Sequence, residues 1–209
     1  MSRAGVARRF ERDIGGRRFV LQCDERLARQ AESVLGTMAR MHAGGARFED
    51  GQSFDFGGMW FSLSRHGEEL WVGRPVVEGQ AILGAEADVT PLLTCLVRQL
   101  ALASRVGAAP VEARLVDKVV LERGCLDLPR VYLERIEAGQ GDSGWFIGDA
   151  ERDEGKGRDR ELMALSVWQL FHLRPALLDV LALPPGFMVI LGGEAIEAVV
   201  NPSNENVWK

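Results

Sequence analysis

The sequence predicts an α+β fold: antiparallel sheets with helices packed on one face, in two subdomains of similar size. Three observations carry this. Strand-like and helix-like segments do not alternate strictly, as a doubly wound parallel sheet requires. Two segments of the first half have helical periodicity with clear end signals, whereas the second half is mostly short apolar runs between glycine-rich turns. The chain has 209 residues, 46% hydrophobic and 26% charged, enough for two cores when a domain needs roughly 100 residues.

Taken in order, residues 1–16 read as a mobile basic arm ending at Gly15-Gly16, and Arg17 to Cys23 as a short strand. Asp24 is a good N-cap for a helix running to about Met41. Leu27, Ala31, Val34, Leu35, Met38 and Met41 share one face of it, and Gly44-Gly45 stops it. Phe54 to Ser64 and Leu70 to Val77 are aromatic and β-branched, so they form a hairpin around residues 65–69, with Trp60 and Trp71 paired across it as core. Thr90 caps a second helix, Pro91 takes its first position and Gly107 ends it. Its buried stripe is expected at Leu92, Leu93, Leu96, Val97, Leu100 and Ala101. Ala108-Ala109-Pro110 is the linker candidate, giving domains at 17–110 and 116–209.

In the second half, Lys118 to Glu122, Val131 to Ile136 and Trp145 to Gly148 read as strands. Residues 151–161 form a charged loop. Leu162 to Leu173 is apolar and fits a helix or a strand. Pro175 opens a short helix over 176–182. Pro184-Pro185-Gly186 is a break. Phe187 to Leu191 and Ala195 to Val200 close the chain as a hairpin around Gly192-Gly193-Glu194.

Composition narrows the function classes. A formal net charge of -5 argues against a nucleic-acid binder. Cys23, Cys95 and Cys125 are widely spaced, with no C-x-x-C pair, so neither a disulfide framework nor a zinc site is suggested and reduced thiols are expected. No apolar run is long enough to span a bilayer, and the basic N-terminus lacks the apolar stretch of a secretory signal. A cytoplasmic protein without cofactor or metal is the expectation.

The run Cys125 to Gly148 carries the sharpest functional question. Gly141-Asp142-Ser143-Gly144 looks like the nucleophile loop of chymotrypsin-like serine proteases, which needs a histidine base and a buried acid. The helices of the first half do not suit that all-β fold, and neither His42 nor His66 has the expected surroundings. A hydrolase using Ser143 with His66 or His172 therefore stands only as an alternative, beside a ligand- or peptide-binding regulatory module. The other reading is a tight turn: Asp142 and Ser143 cap, Gly144 supplies positive φ, and Trp145 is buried, with Gly148 part of the same structural motif. No phosphate loop, dinucleotide fingerprint, G-x-S-x-G or H-E-x-x-H pattern occurs.

The acids Asp142, Asp149, Glu151, Asp153, Glu154, Asp159 and Glu161 cluster around the charged loop. Calcium-loop spacing is missing, and Arg152, Lys156, Arg158 and Arg160 are interleaved, which suits a solvated or partner-binding loop rather than a metal site. Trp208, next to last in the chain, is a second candidate for partner contact.

Cys125-Leu126-Asp127, Asp142-Ser143-Gly144-Trp145 with Gly148-Asp149, Leu181 to Pro185 with Gly186, and the closing hairpin together resemble the immunity-protein family 33 domain of bacterial polymorphic toxin systems. The resemblance covers roughly residues 116–209. It implies a non-catalytic, antitoxin-like role: binding and occluding a cognate effector toxin, of the kind delivered by contact-dependent or type VI secretion. The acidic loop would then steer the protein toward a basic partner.

Overall fold

The computed structural model describes residues 6–78, 81–152 and 161–209. The chain divides into two compact units, Met1–Leu96 and Val97–Lys209.

The first unit opens with β1 (Ala7–Ile14) and β2 (Arg17–Asp24), an antiparallel hairpin. The mobile arm expected over 1–16 is thus a strand from Ala7 onward. Gly15 and Gly16 both have positive φ, 59° and 80°, which is the turn a two-residue hairpin needs. Phe10 and Ile14 point to one face and are buried, while arginines and acids alternate outward. Those charges are spent locally, for example Arg9 on Glu11 and Glu69. Asp24 caps a 3-10 turn at Glu25–Leu27 that leads into α1 (Ala28–Ala43). α1 buries Ala31, Val34, Leu35 and Met38 and packs on β1 and β2. Met41, expected on the buried face, is exposed instead.

Next come β3 (Ser53–Phe56), β4 (Met59–His66), β5 (Glu69–Glu78) and β6 (Ala81–Glu86). Among the described residues they form one six-stranded sheet with β1 and β2, ordered β1-β2-β5-β4-β3, with β6 paired to β5. All pairs are antiparallel except β2 with β5. Trp60 and Trp71 do not pair: the β4–β5 turn is centred on Gly67-Glu68, which sets Trp71 opposite Ser64, while on the other side of β4 Trp60 faces Asp55 of β3. Both indoles are half-buried.

α2 (Thr90–Arg105) contains the boundary between the units. The division falls at Leu96/Val97 rather than at the Ala108-Ala109-Pro110 stretch because the later part of α2 is tied into the second unit. Gln99 is buried and donates to the Leu178 carbonyl oxygen at 2.7 Å, and Arg98 lies 3.6 Å from Asp179. Leu102 and Ala103 are buried there, whereas Leu100 and Ala101 face solvent.

The second unit contains β7 (Lys118–Glu122), β8 (Arg130–Arg135), β9 (Asp142–Asp149), β10 (Leu162–Ser166), α3 (Val167–Leu173), β11 (Met188–Gly192) and β12 (Ala195–Val200). Among the described residues the sheet order is β10-β7-β9-β8-β11-β12, with β7 and β9 parallel and the other pairs antiparallel. The ambiguous run 162–173 is both things in turn. Ser166 switches it from strand to helix through a capping box with Gln169. One face of the sheet, with Val131, Leu133, Trp145, Ile147, Val189 and Leu191, is fully buried. Leu170 of α3 and Leu177, Leu178 and Leu181 in and after the 3-10 segment Pro175–Val180 are buried in the same core. Each large apolar side chain fully removed from water contributes about 1.5–3 kcal/mol.

Candidate protein-binding site

Strand alternation sends every second residue of the second sheet to its other face. There the register aligns Val120, Phe146, Glu134, Met188 and Val200 in one row across the strands. Gly148, Tyr132, Ile190 and Ala198 form the next. Apart from Gly148, which is covered, and Glu134, which is exposed, these residues are half-buried. Tyr132 and Phe146 lie with ring centroids 5.8 Å apart. The Tyr132 ring lies over Gly148: a Cβ there would come within 2.5 Å of Tyr132 Cε1. Beside the ring is a cleft of about 320 Å³, lined by Tyr132, Glu134, Asp149, Arg152, Met188 and Ile190. Its rim is charged: Arg152 reaches Glu122 at 3.2 Å, and Arg130 pairs with Glu197 at 2.7 Å. Aromatic and methionine side chains set around the central Glu134, with further charges at the edge, give the mixed composition common to protein-binding surfaces.

Asp142-Ser143-Gly144-Trp145 sets the geometry of this face from inside. The β7–β9 register runs from Lys118↔Asp142 to Val120↔Phe146, so β9 bulges over these residues rather than making a separate turn. Asp142 accepts the Gly144 N–H at 2.8 Å. Ser143 is buried; its hydroxyl donates to the Lys118 carbonyl oxygen at 2.6 Å and accepts the Trp145 N–H at 3.2 Å. Both partners are backbone groups, so the hydroxyl fastens the bulge and is not aimed at a histidine. His66 Nε2 instead lies 3.2 Å from Ser64 Oγ, and His172 is exposed, edge-on to Trp168. Gly144 has φ +75°, and a Cβ on it would sit 2.2 Å from the Ile136 carbonyl oxygen, so only glycine fits. Trp145 is 1% exposed and donates its indole N–H to the Leu181 oxygen at 3.0 Å.

Beside Trp145, 5.7 Å from its ring, is the guanidinium of Arg135, which is 4% exposed. It donates to five carbonyl oxygens, those of Val111, Glu112, Ser143, Leu181 and Leu183, at 2.6–3.1 Å. Burial pushes its pKa down from the ordinary arginine value, against the pull of Asp117 and Glu137. This arginine gathers the segments that flank β8 and β9. Its signal in the sequence is a charge at the buried phase of a strand, after Val131 and Leu133.

Of the acids expected to meet a partner, Asp149 lies at the cleft, half-buried, and caps the Glu151 N–H at 2.9 Å. Glu151 is exposed, and Glu161 pairs with Arg123 at 2.8 Å. Asp153, Glu154 and Asp159 lie outside the described residues. Trp208 is half-buried, with the Arg105 guanidinium 3.7 Å from its ring centroid. Tyr132, Phe146, Met188 and Ile190 were not foreseen as site residues, although period-2 alternation beside Val131, Trp145 and Val189 marks them as outward-facing. Among the described residues no group of three or more His, Cys, Asp or Glu side chains is placed to hold a metal ion. Nor is any helix there long and apolar enough to cross a membrane.

A family model, that of the Imm33-like domain, matches residues 98–202, half of the chain. The chain belongs to the Imm33-like domain family. The domain begins inside α2, next to the boundary of the second unit at Val97, and runs past β12, so it contains the entire second sheet and both of its faces. It starts earlier than the 116–209 expected from the sequence motifs, in keeping with the Gln99 and Arg98 contacts that tie late α2 into this unit. No curated protein and no solved structure matches the chain.

Proposed function

We propose that this chain is an immunity protein that binds a cognate effector toxin and neutralises it by occlusion, with the outward face of the second sheet as its interface. Membership in the Imm33-like family gives the class. The observation that supports the location is the half-buried cluster of Tyr132, Phe146, Met188 and Ile190 within a charged rim. Aromatic and methionine side chains are enriched at interfaces, and a few buried residues near the centre of one carry most of its binding energy. Asp149 and Glu151 at the edge, with Asp153, Glu154 and Asp159 next to them in sequence, favour a partner with a basic surface and speed its encounter. The reading needs no catalytic step and places the action in the cytoplasm, against an effector of the contact-dependent or type VI kind. Trp208 is left out of the proposed interface because Arg105 already covers one face of its ring.

The test is co-expression with candidate effectors encoded by neighbouring genes, scored as survival and as co-purification. Wild type should protect. Phe146→Ala combined with Met188→Ala should weaken binding at least about 30-fold, since hot-spot truncations cost on the order of 2 kcal/mol or more, with the fold retained. Absence of protection by wild type would remove the immunity reading. Protection by the double variant at wild-type strength would move the interface elsewhere.

A further inference from the structure

We infer that the first unit carries a binding site for a small ligand bearing two or more oxyanion groups, phosphate or carboxylate. The site is a cleft of about 730 Å³ at the β1–β2 turn, within the roughly 300–1,000 Å³ usual for ligand pockets. It lies wholly within the first unit and owes nothing to the immunity reading.

Three arginines line it from three segments: Arg17 after the turn, Arg47 after α1, and Arg65 near the end of β4. Among the described residues none of the three has a carboxylate within ion-pair distance; Arg9, Arg12, Arg18, Arg26 and Arg74 of the same unit do, while Arg8, Arg29 and Arg40 also lack one but do not line the cleft. Their hydrogen bonds are few. Arg17 donates to the Phe48 oxygen at 3.4 Å, and Arg47 to the Gly45 and Ala46 oxygens at 3.3 and 3.2 Å. A guanidinium carries five N–H donors, so most of them remain available to a ligand. Their planar forks match phosphate and carboxylate oxygens two at a time.

The acids of the cleft do not cancel this. Asp50 has one oxygen on the Arg65 backbone N–H at 2.7 Å, and Glu49 is exposed. Counting Arg17, Arg47 and Arg65 against Glu49 and Asp50, the lining is net positive in a chain of formal charge -5. His42 adds a polar ring. Its Nδ1 lies 3.1 Å from the Ala46 oxygen, and its Nε2 lies where a Cβ on Gly15 would fall, only 2.2 Å away. Phe48, half-buried and edge-on to Phe19, gives the cleft one apolar wall, which suits a compact organic body carrying the charged groups.

The test is calorimetric titration of the full chain at low salt with inorganic pyrophosphate and, separately, with citrate. Saturable one-to-one binding of either probe is expected; which one binds tells phosphate from carboxylate. Arg47→Gln with Arg65→Gln should weaken it roughly tenfold or more, given the strength of charge-assisted hydrogen bonds. Arg65→Gln alone should do so in part, and its side chain makes no bond the fold depends on. Arg29→Gln, on an exposed helix face, should leave affinity within about twofold. The site is overturned if neither probe saturates by about 10 mM, or if Arg29→Gln costs as much as the cleft variants, which would mean diffuse charge attraction.

Discussion

Replacing Arg135 with methionine tests how the Imm33-like domain is held together. Methionine fills much of the volume of the arginine stem but removes all five N–H···O bonds. The loss is uneven. The Leu181 oxygen keeps the Trp145 indole N–H at 3.0 Å, and the bonds to Val111 and Glu112 are part-buried, so water can replace the donor there. The bonds to Ser143 and Leu183 are buried. Two buried acceptors deprived of this donor cost about 2–6 kcal/mol, at about 1–3 kcal/mol each. Against this, the guanidinium no longer has to be desolvated, a cost visible in its lowered pKa and able to offset part of the loss. The net expectation is a destabilisation of about 2–4 kcal/mol. Urea unfolding gives the total, and amide hydrogen exchange on β8 and β9 localises it. Arg135→Lys, with three donors instead of five, should fall between wild type and Arg135→Met. A loss below about 1 kcal/mol, or a methionine variant more stable than wild type, would show that the carbonyls do not depend on this side chain.

Three more outcomes follow from the geometry. Gly144→Ala should destabilise by about 3–5 kcal/mol in urea unfolding, combining a left-handed backbone with a Cβ driven into the Ile136 oxygen; a shift under about 1 kcal/mol would mean that the bulge relaxes freely. Asp24 has its pKa lowered from 3.8 to about 2, chiefly by the Arg26 side chain and then by the Arg26 backbone N–H. A carboxyl with a lower pKa folded than unfolded contributes stability above its unfolded value, so this contribution should fade as pH drops from about 4 toward 2, and in Asp24→Asn that part of the acid titration should vanish. Burial raises the thiols of Cys23 and Cys125 to about 11, and all three cysteines are buried. A thiol reagent at neutral pH should therefore label none of them until the chain is unfolded, and fast labelling of the native protein would contradict this packing.

Much of the fold was legible wherever local chemistry and tertiary placement agree. The end signals of α2 at Thr90-Pro91 and Gly107 and the closing hairpin are such places. The hidden parts were those decided by partners distant in sequence. Arg-rich β1 read as an arm because its charge outweighed the alternation of Phe10 and Ile14, although Gly15-Gly16 beside Arg17 to Cys23 was a hairpin signal. The strand-to-helix switch at Ser166 was written as Ser166-x-x-Gln169. At the candidate site the acidic positions were visible as composition, whereas Tyr132, Phe146, Met188 and Ile190 become a patch only once three strands are set in register. Arg135 is the extreme case, since its acceptors range from Val111 to Leu183.

The contact of Tyr132 with Gly148 bears on the cost of recognition. An exposed tyrosine ordinarily samples several rotamers and loses that freedom when a partner arrives. Here the missing Cβ at Gly148 gives the ring a fixed bed before any encounter. At the proposed interface, a partner would meet a ring already held in place, so less conformational entropy would be lost on association. Gly148→Ala would lift the ring off that bed without touching the rest of the face, turning a preorganised anchor into a mobile one.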